Sequence, residues 1–305
     1  MQAKKILIDT DLSMGEFAKD VDDGLAILMA LNSPELEVVG ISGVYGNTKL
    51  RNVSKNVPQL LNLFPEAKNP PKYIEGASSS RDWRKKAKLP GIAQLKELIT
   101  EHSPITLICI GPLTNIALLF YYYSEIVDSN LISQLVIMGG ALDKWEFNFA
   151  NDPSATDYVL NLPIPTAICG YEVCLAQKFT RSHYNILRKR ETARSVYLTK
   201  EIKTWLKLNE LFLKGEVKGF YPVDCVAITY SLHPEWFEFK KLPIHLTNVH
   251  KNNPRKLDFS TKSYINQELW TKKDTLNESE KQTWVDWAIT IDSEKFMELL
   301  IERLY

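Results

Sequence analysis

The stretch KKILIDTDLSMGEFAKDVDDGLAILMALN, Lys4 to Asn32, decides how the rest of the chain is read. Its apolar run, Ile6 to Ile8, predicts a buried strand that ends on Asp9, Thr10 and Asp11. After eight intervening residues come Asp20, Asp22 and Asp23, followed by an apolar helix from Leu25 to Leu31. The aspartates therefore fall where a strand hands over to a helix, the edge at which open α/β sheets bind ligands. Five carboxylates gathered there repel one another unless a positive group lies between them, and a hard cation with oxygen ligands answers that need. The alternative is a solvated acidic loop, with Asp22 or Asp23 capping the helix.

Outward from this segment the same grammar repeats. Apolar strands are expected at Leu36 to Val44, near Tyr73, at Ile105 to Ile110, Leu135 to Met138, Thr166 to Cys169 and Trp284 to Ile291. Between them come a helix capped by Thr48 and running to about Phe64, and a helix from Ile92 to Thr100. Residues 65–90 read as loop, and the segment Thr247 to Glu280 as polar and irregular. The C-terminal third is mostly helical, with helices at Thr192 to Lys214, Asp224 to Ser231 and Ser293 to Arg303. Near-continuous apolar strands alternating with helices predict an α/β, Rossmann-like fold with a mostly parallel sheet covered on both faces. No repeat or linker divides the 305 residues, so the expectation is a single domain over 1–305.

Composition narrows the function. Lys+Arg and Asp+Glu both number 37, so the net charge is zero and nothing favours nucleic acid or an anionic membrane surface. The basic run Arg81 to Lys88 is the one local exception and reads as a solvated face. Cys109, Cys169, Cys174 and Cys225 sit among apolar residues without zinc or disulfide spacing, as buried thiols in a cytoplasmic protein do. No signal-peptide pattern opens the chain, and no apolar run is long enough to span a bilayer.

Polar residues interrupt the apolar strands at their carboxyl ends: Asp9 and Asp11, Asn47, the turn at Gly111, and Glu146 with Asn148. Parallel strands share one rim, so these positions converge on one crevice. Asp224 heads the apolar run CVAI and is either a helix N-cap or a buried ligand.

Taken in order, ILIDTD with DVDDGLAILMAL, GVYGNTKLRNVSKN, ITLICIGPLTNIA, LVIMGGAL, EFNFANDPSAT, VDCVAITYSLHPE and AITIDSEKFMELL resemble the inosine-uridine preferring nucleoside hydrolases. The resemblance runs over nearly the whole length. It implies the nucleoside-hydrolase fold, one Ca2+ bound by aspartates, and hydrolysis of the N-glycosidic bond of a ribonucleoside or similar riboside to free base and ribose, a reaction of purine and pyrimidine salvage. By the same resemblance Asp11 is a metal ligand and the base that activates a metal-bound water. Asp23 and Asp224 are further ligands, Ile110 offers its carbonyl, and Asp9 supports from behind. Asp22, Asn47, Glu146 and Asn148 hold the ribose hydroxyls, and Met138 packs on the sugar. A homo-oligomer, dimer or tetramer, is implied too.

The chain departs from the family's pattern in three ways. LSMGEFAKDV separates the DTD and DD pairs, so Glu16 or Lys19 is positioned to reach substrate and Asp20 is an alternative ligand. Val223 stands where many relatives carry a histidine acid, and the five histidines fall in surface-like contexts. Trp83, as a stacker for the base, and Tyr221, as a weak donor, are the candidate replacements. The ribose-contacting asparagine often found after the double glycine has no match, since Asp143 and Lys144 occupy that loop. Two other readings compete. One is a degenerate paralogue that binds a ribosyl ligand without turnover. The other is a haloacid-dehalogenase-type phosphatase, which ILIDTDLS resembles, with Asp9 as nucleophile and Asp11 as acid/base around magnesium.

Overall fold

The computed structural model describes residues 3–63, 70–142, 146–190, 192–212, 219–243 and 284–304. Its strands are β1 (Lys4–Thr10), β2 (Leu36–Gly43), β3 (Lys72–Glu75), β4 (Ile105–Cys109), β5 (Ile132–Met138), β6 (Thr166–Cys169), β7 (Phe237–Pro243) and β8 (Trp284–Ile291). They form one eight-stranded sheet in the order β3-β2-β1-β4-β5-β6-β8-β7. Every pairing is parallel except β7 with β8. The chain leaves β1 toward one side of the sheet for β2 and β3, then returns to the other side for β4. That reversal lies between β1 and β4, so Asp9 and Asp11 stand at the topological switch point, where such sheets bind ligands.

Alternation along each strand divides the core in two. Ile6, Ile8, Ile108, Val136, Met138 and Cys169 pack into one cluster, while Leu7, Leu107, Cys109, Leu135, Ile137 and Ile168 pack into another. Successive side chains of a strand point to opposite faces, so a strand buried in both clusters is covered on both sides. This is why the strands read as unbroken apolar runs. Strand Thr166–Cys169, strand Trp284–Ile291 and helix Ser293–Arg303 have the bounds expected from sequence. The four cysteines are free and buried, also as expected.

Some local readings need correction. The first helix is Asp22–Leu31, so the acidic pair lies inside it and not before it. Helix Leu50–Leu61 starts after Lys49, and Thr48 does not cap it; the Thr48 hydroxyl accepts the Asn52 amide at 2.8 Å. Within the stretch read as loop, a short helix, Ser80–Arg84, is held by a capping box between Ser79 and Asp82. The antiparallel strand β7 went unread because Glu238, Lys240 and Lys241 break its apolar pattern, as charges do on edge strands. The polar segment Thr247 to Glu280, and His245 and His250 with it, lies outside the described residues. Among the described residues no helix is long and apolar enough to cross a membrane.

Candidate active site at the switch point

The carboxyl end of β1 delivers Asp9 and Asp11 into a fully buried setting. Asp9 Oδ1 accepts from the Ser42 hydroxyl and, at 2.8 Å, from the Asn115 amide. Its Oδ2 is buried with no hydrogen-bond partner among the described residues. Burial lifts the Asp9 carboxyl to about 7, although both hydrogen bonds pull the other way. Asp11 Oδ2 accepts the backbone N–H of Asn47 at 2.5 Å, and its Oδ1 is again buried with no hydrogen-bond partner among the described residues. Two buried carboxylate oxygens without a donor are costly unless something positive faces them.

Helix Asp22–Leu31 brings the second pair. Asp23 Oδ1 accepts the Thr10 hydroxyl, and Oδ2 accepts the Asn47 side-chain amide at 3.3 Å. The far end of the chain supplies the third component. Helix Val223–Leu232 starts after Pro222, and Asp224, its second residue, makes no capping hydrogen bond. Of the two roles open to Asp224, the cap is the one the structure does not use. One carboxylate oxygen each from Asp22, Asp23 and Asp224 lie within 4.8 Å of one another.

These groups weigh on one another. Burial, then the Asp23 charge, pushes the Asp11 carboxyl well above its usual range. Asp22 and Asp224 are pushed up by burial and by their acidic neighbours, and Asp23 rises to about 6. The donor set is oxygen only, and no Lys, Arg or His is among the described residues lining the adjoining cavity. Three converging carboxylates and the orphaned oxygen of Asp11 fit a hard divalent cation.

The cavity, about 550 Å³, opens beside this cluster and is lined by Asp20, Asp22, Asp224, Asn47, Ile110, Met138, Glu146 and Asn148 on its polar part. After the double glycine, Glu146 caps helix Phe147–Asn151. Its oxygens accept the backbone N–H groups of Asn148 at 2.8 Å, Gly140 at 2.8 Å and Phe149 at 3.0 Å. Burial raises the Glu146 carboxyl and these hydrogen bonds lower it. The Asn148 amide donates to the carbonyls of Ile110 and Met138, both at 3.1 Å. The residues expected around the sugar thus hold one another in place.

Not every expected residue reaches the cavity. Trp83 is 3 % exposed, donates its indole N–H to the Ser154 hydroxyl at 3.0 Å, and packs on Tyr121 and Tyr158. It is a core residue, not a base stacker, and does not line the cavity. Tyr221 does line it, as does Val223 in the position without a histidine. His183 pairs with Thr180 and His233 with Glu235, away from the cavity. The inserted residues are anchored by buried Leu12, Met14 and Val21. Glu16 accepts the Asn52 amide at 2.8 Å, and Lys19 donates to the Asn47 carbonyl at 2.9 Å, so both brace the site's neighbours and only Asp20 lines the cavity. Asp143 and Lys144 fall outside the described residues. Sequence reading missed the largely apolar side of the cavity, formed by Phe147, Tyr171, Leu175, Trp205 and Phe220, with Asn209 beside them.

The chain is similar to known proteins over most of its length. The chain is 31% identical over 260 residues, 76% of its length and 80% of the relative's, to a non-specific ribonucleoside hydrolase of Salmonella paratyphi A. Its fold resembles a plant nucleoside hydrolase at a TM-score of 0.80, with 21% identity and 99% of both chains covered. It also resembles a purine-preferring ribonucleoside hydrolase from Gardnerella vaginalis at 0.77, with 22% identity over 99% of this chain and 98% of that one. The family profile of the inosine-uridine preferring nucleoside hydrolases matches residues 6–298. With its carboxylates gathered at the switch point and its length matched almost throughout, the chain belongs to the inosine-uridine preferring nucleoside hydrolase family.

Proposed function

We propose that this hydrolase cleaves the N-glycosidic bond of a ribonucleoside in a calcium-dependent reaction, releasing free base and ribose. The observation that carries the reading is the meeting of Asp22, Asp23 and Asp224, from opposite ends of the chain, beside a cavity sized for a small molecule. Asp23 and Asp224 would hold the ion, with Asp11, the Ile110 carbonyl and the neighbouring Asp22 and Asp20 as further oxygen donors. When bound, calcium would supply positive charge that lowers the pKa of a water and attracts sugar hydroxyls.

The chain's own groups do the rest. Asp11 accepts the proton of the attacking water; its free Oδ1 and its tie to the Asn47 backbone suit a fixed base. Asp9, behind it, supports the attacking water. Asp22, Asn47, Glu146 and Asn148 orient the ribose hydroxyls, and Met138 packs on the sugar. Because the Asn148 amide is already bound to the Ile110 and Met138 carbonyls, its position is set before substrate arrives. Cleavage develops positive charge on the sugar ring, and anionic and carbonyl oxygens around it stabilise that charge. The free, buried cysteines support a reducing cytoplasmic setting. A homo-oligomer, dimer or tetramer, is part of the same proposal.

Assays with p-nitrophenyl riboside, inosine and uridine, with calcium and with chelator, test the reading. Calcium-dependent release of p-nitrophenol is expected, since that leaving group needs no acid. Calcium binding without turnover of any riboside would favour the non-catalytic paralogue.

A further inference from the structure

The basic run RDWRKKAK, Arg81 to Lys88, contributes nothing to the cavity described above. Its local fold sorts the residues by direction. Trp83 is buried, donates to the Ser154 hydroxyl and carries the Lys86 ammonium over its ring. The Tyr122 hydroxyl donates to the Lys86 carbonyl, and the Ala87 N–H donates to the Asp82 carbonyl at 2.8 Å, so the turn that closes helix Ser80–Arg84 is tied down. Arg81, Arg84 and Lys85, at spacings of three and four, share a face and are exposed. They line a second cavity, about 320 Å³, and no other described residue does.

Among the described residues these three side chains make no hydrogen bond or ion pair. The nearby acids are committed elsewhere. Asp82 Oδ2 accepts the Ser78 N–H at 2.7 Å, the Ser78 hydroxyl at 3.0 Å and the Ser79 N–H at 3.1 Å. Asp152 is buried and accepts the Thr114 hydroxyl at 2.7 Å and the Ala155 N–H at 3.2 Å. Like charges three and four apart on a helix repel, so a concave face that gathers three cations is relieved by an anion. Guanidinium groups grip phosphate oxygens in pairs, and a phosphate group offers three such oxygens and nearly two charges. The Trp83 anchor sets this face before any ligand arrives, which lowers the cost of binding. We propose that Arg81, Arg84 and Lys85 form a binding site for a phosphate group, separate from the ribohydrolase cavity, that takes inorganic phosphate or a nucleoside 5′-monophosphate.

The test uses the full chain in chelator at low ionic strength, where screening is weak and the carboxylate cluster repels anions. Titration calorimetry with inorganic phosphate and with uridine 5′-monophosphate reads the site. Saturable binding is expected, weakened about tenfold in Arg81→Gln and in Arg84→Gln, the loss of a charge-assisted hydrogen bond. Lys88→Gln removes a charge of the same run that does not line the cavity, and should leave the affinity within twofold. Glutamine is a good helix former and these side chains are exposed, so wild-type circular dichroism is expected of every variant. Phosphate bound as tightly as the monophosphate assigns the site to the free anion, and a tighter monophosphate assigns it to the nucleotide. No saturable binding of either at millimolar concentration overturns the proposal. So does binding that Arg81→Gln and Arg84→Gln leave unchanged, or that Lys88→Gln weakens as much as they do.

Discussion

Asp11 and Asn47 are joined by a 2.5 Å hydrogen bond from the Asn47 backbone N–H to Asp11 Oδ2, leaving Asp11 Oδ1 buried and without a partner. One oxygen is therefore spent on orientation and the other is kept for chemistry. Asp11→Ala should lower kcat by about 10²–10⁴, the usual worth of a positioned base. Nucleoside binding, followed by calorimetry, should change much less. A variant with wild-type kcat would remove Asp11 from the reaction.

Gly46 makes that arrangement possible. A Cβ there would lie 1.8 Å from Asp11 Oδ2 and 2.6 Å from its Cγ, so any larger residue must displace the carboxylate. Gly46→Ala should cost about 10²-fold in kcat/KM, the scale expected for misplacing a reacting group by about 1 Å. Circular dichroism should remain that of the wild type, because the collision is with one side chain and not with the core. Full activity in Gly46→Ala would mean that Asp11 need not sit where it does.

The pH dependence follows from burial. The Asp9 carboxyl rises to about 7 and Asp23 to about 6, and Asp11, Asp22 and Asp224 also rise. A group with a raised folded pKa contributes stability that is complete below its unfolded value, about 4, and is lost as pH climbs through the folded value. In chelator, this cluster should make the protein melt at lower temperature near pH 8 than near pH 5. Calcium needs the deprotonated carboxylates, so the rise in melting temperature on adding it should grow over the same interval. A calcium shift that shrinks with rising pH would contradict the assignment.

Asp224 offers the converse test. Asp224→Ala removes one of three mutually repelling carboxylates. In chelator it should melt no lower than the wild type, while calcium should no longer stabilise it, as differential scanning fluorimetry would read. Unchanged calcium stabilisation would reduce Asp224 to a residue of the helix start.

Much of this was legible in the sequence, for identifiable reasons. Strands such as Ile105–Cys109 are buried on both faces, so their unbroken apolar runs announced a parallel sheet. Asp9, Asn47, Glu146 and Asn148 were legible as polar residues at strand ends, which a parallel sheet gathers at one rim. Trp83 was misread because a tryptophan among lysines and arginines looks exposed, whereas here it packs on Tyr121 and Tyr158 beneath them. Trp205 and Asn209 were illegible for the opposite reason. On a long helix with apolar residues on several sides, spacing alone does not tell the core stripe from the stripe beside it. Asp22, expected on the ribose, lines the cavity and also has its carboxylate beside those of Asp23 and Asp224, a closeness set by where the helix begins, which no local pattern fixed.

The most direct measurement is a crystal structure of the protein grown in calcium with ribose or a ribose-mimicking inhibitor. The account predicts one ion at about 2.3–2.6 Å from oxygens of Asp23 and Asp224, with the sugar diol beside it and Asp11 Oδ1 facing the reacting carbon. A sugar-bound structure in saturating calcium with no ion among these carboxylates would contradict it.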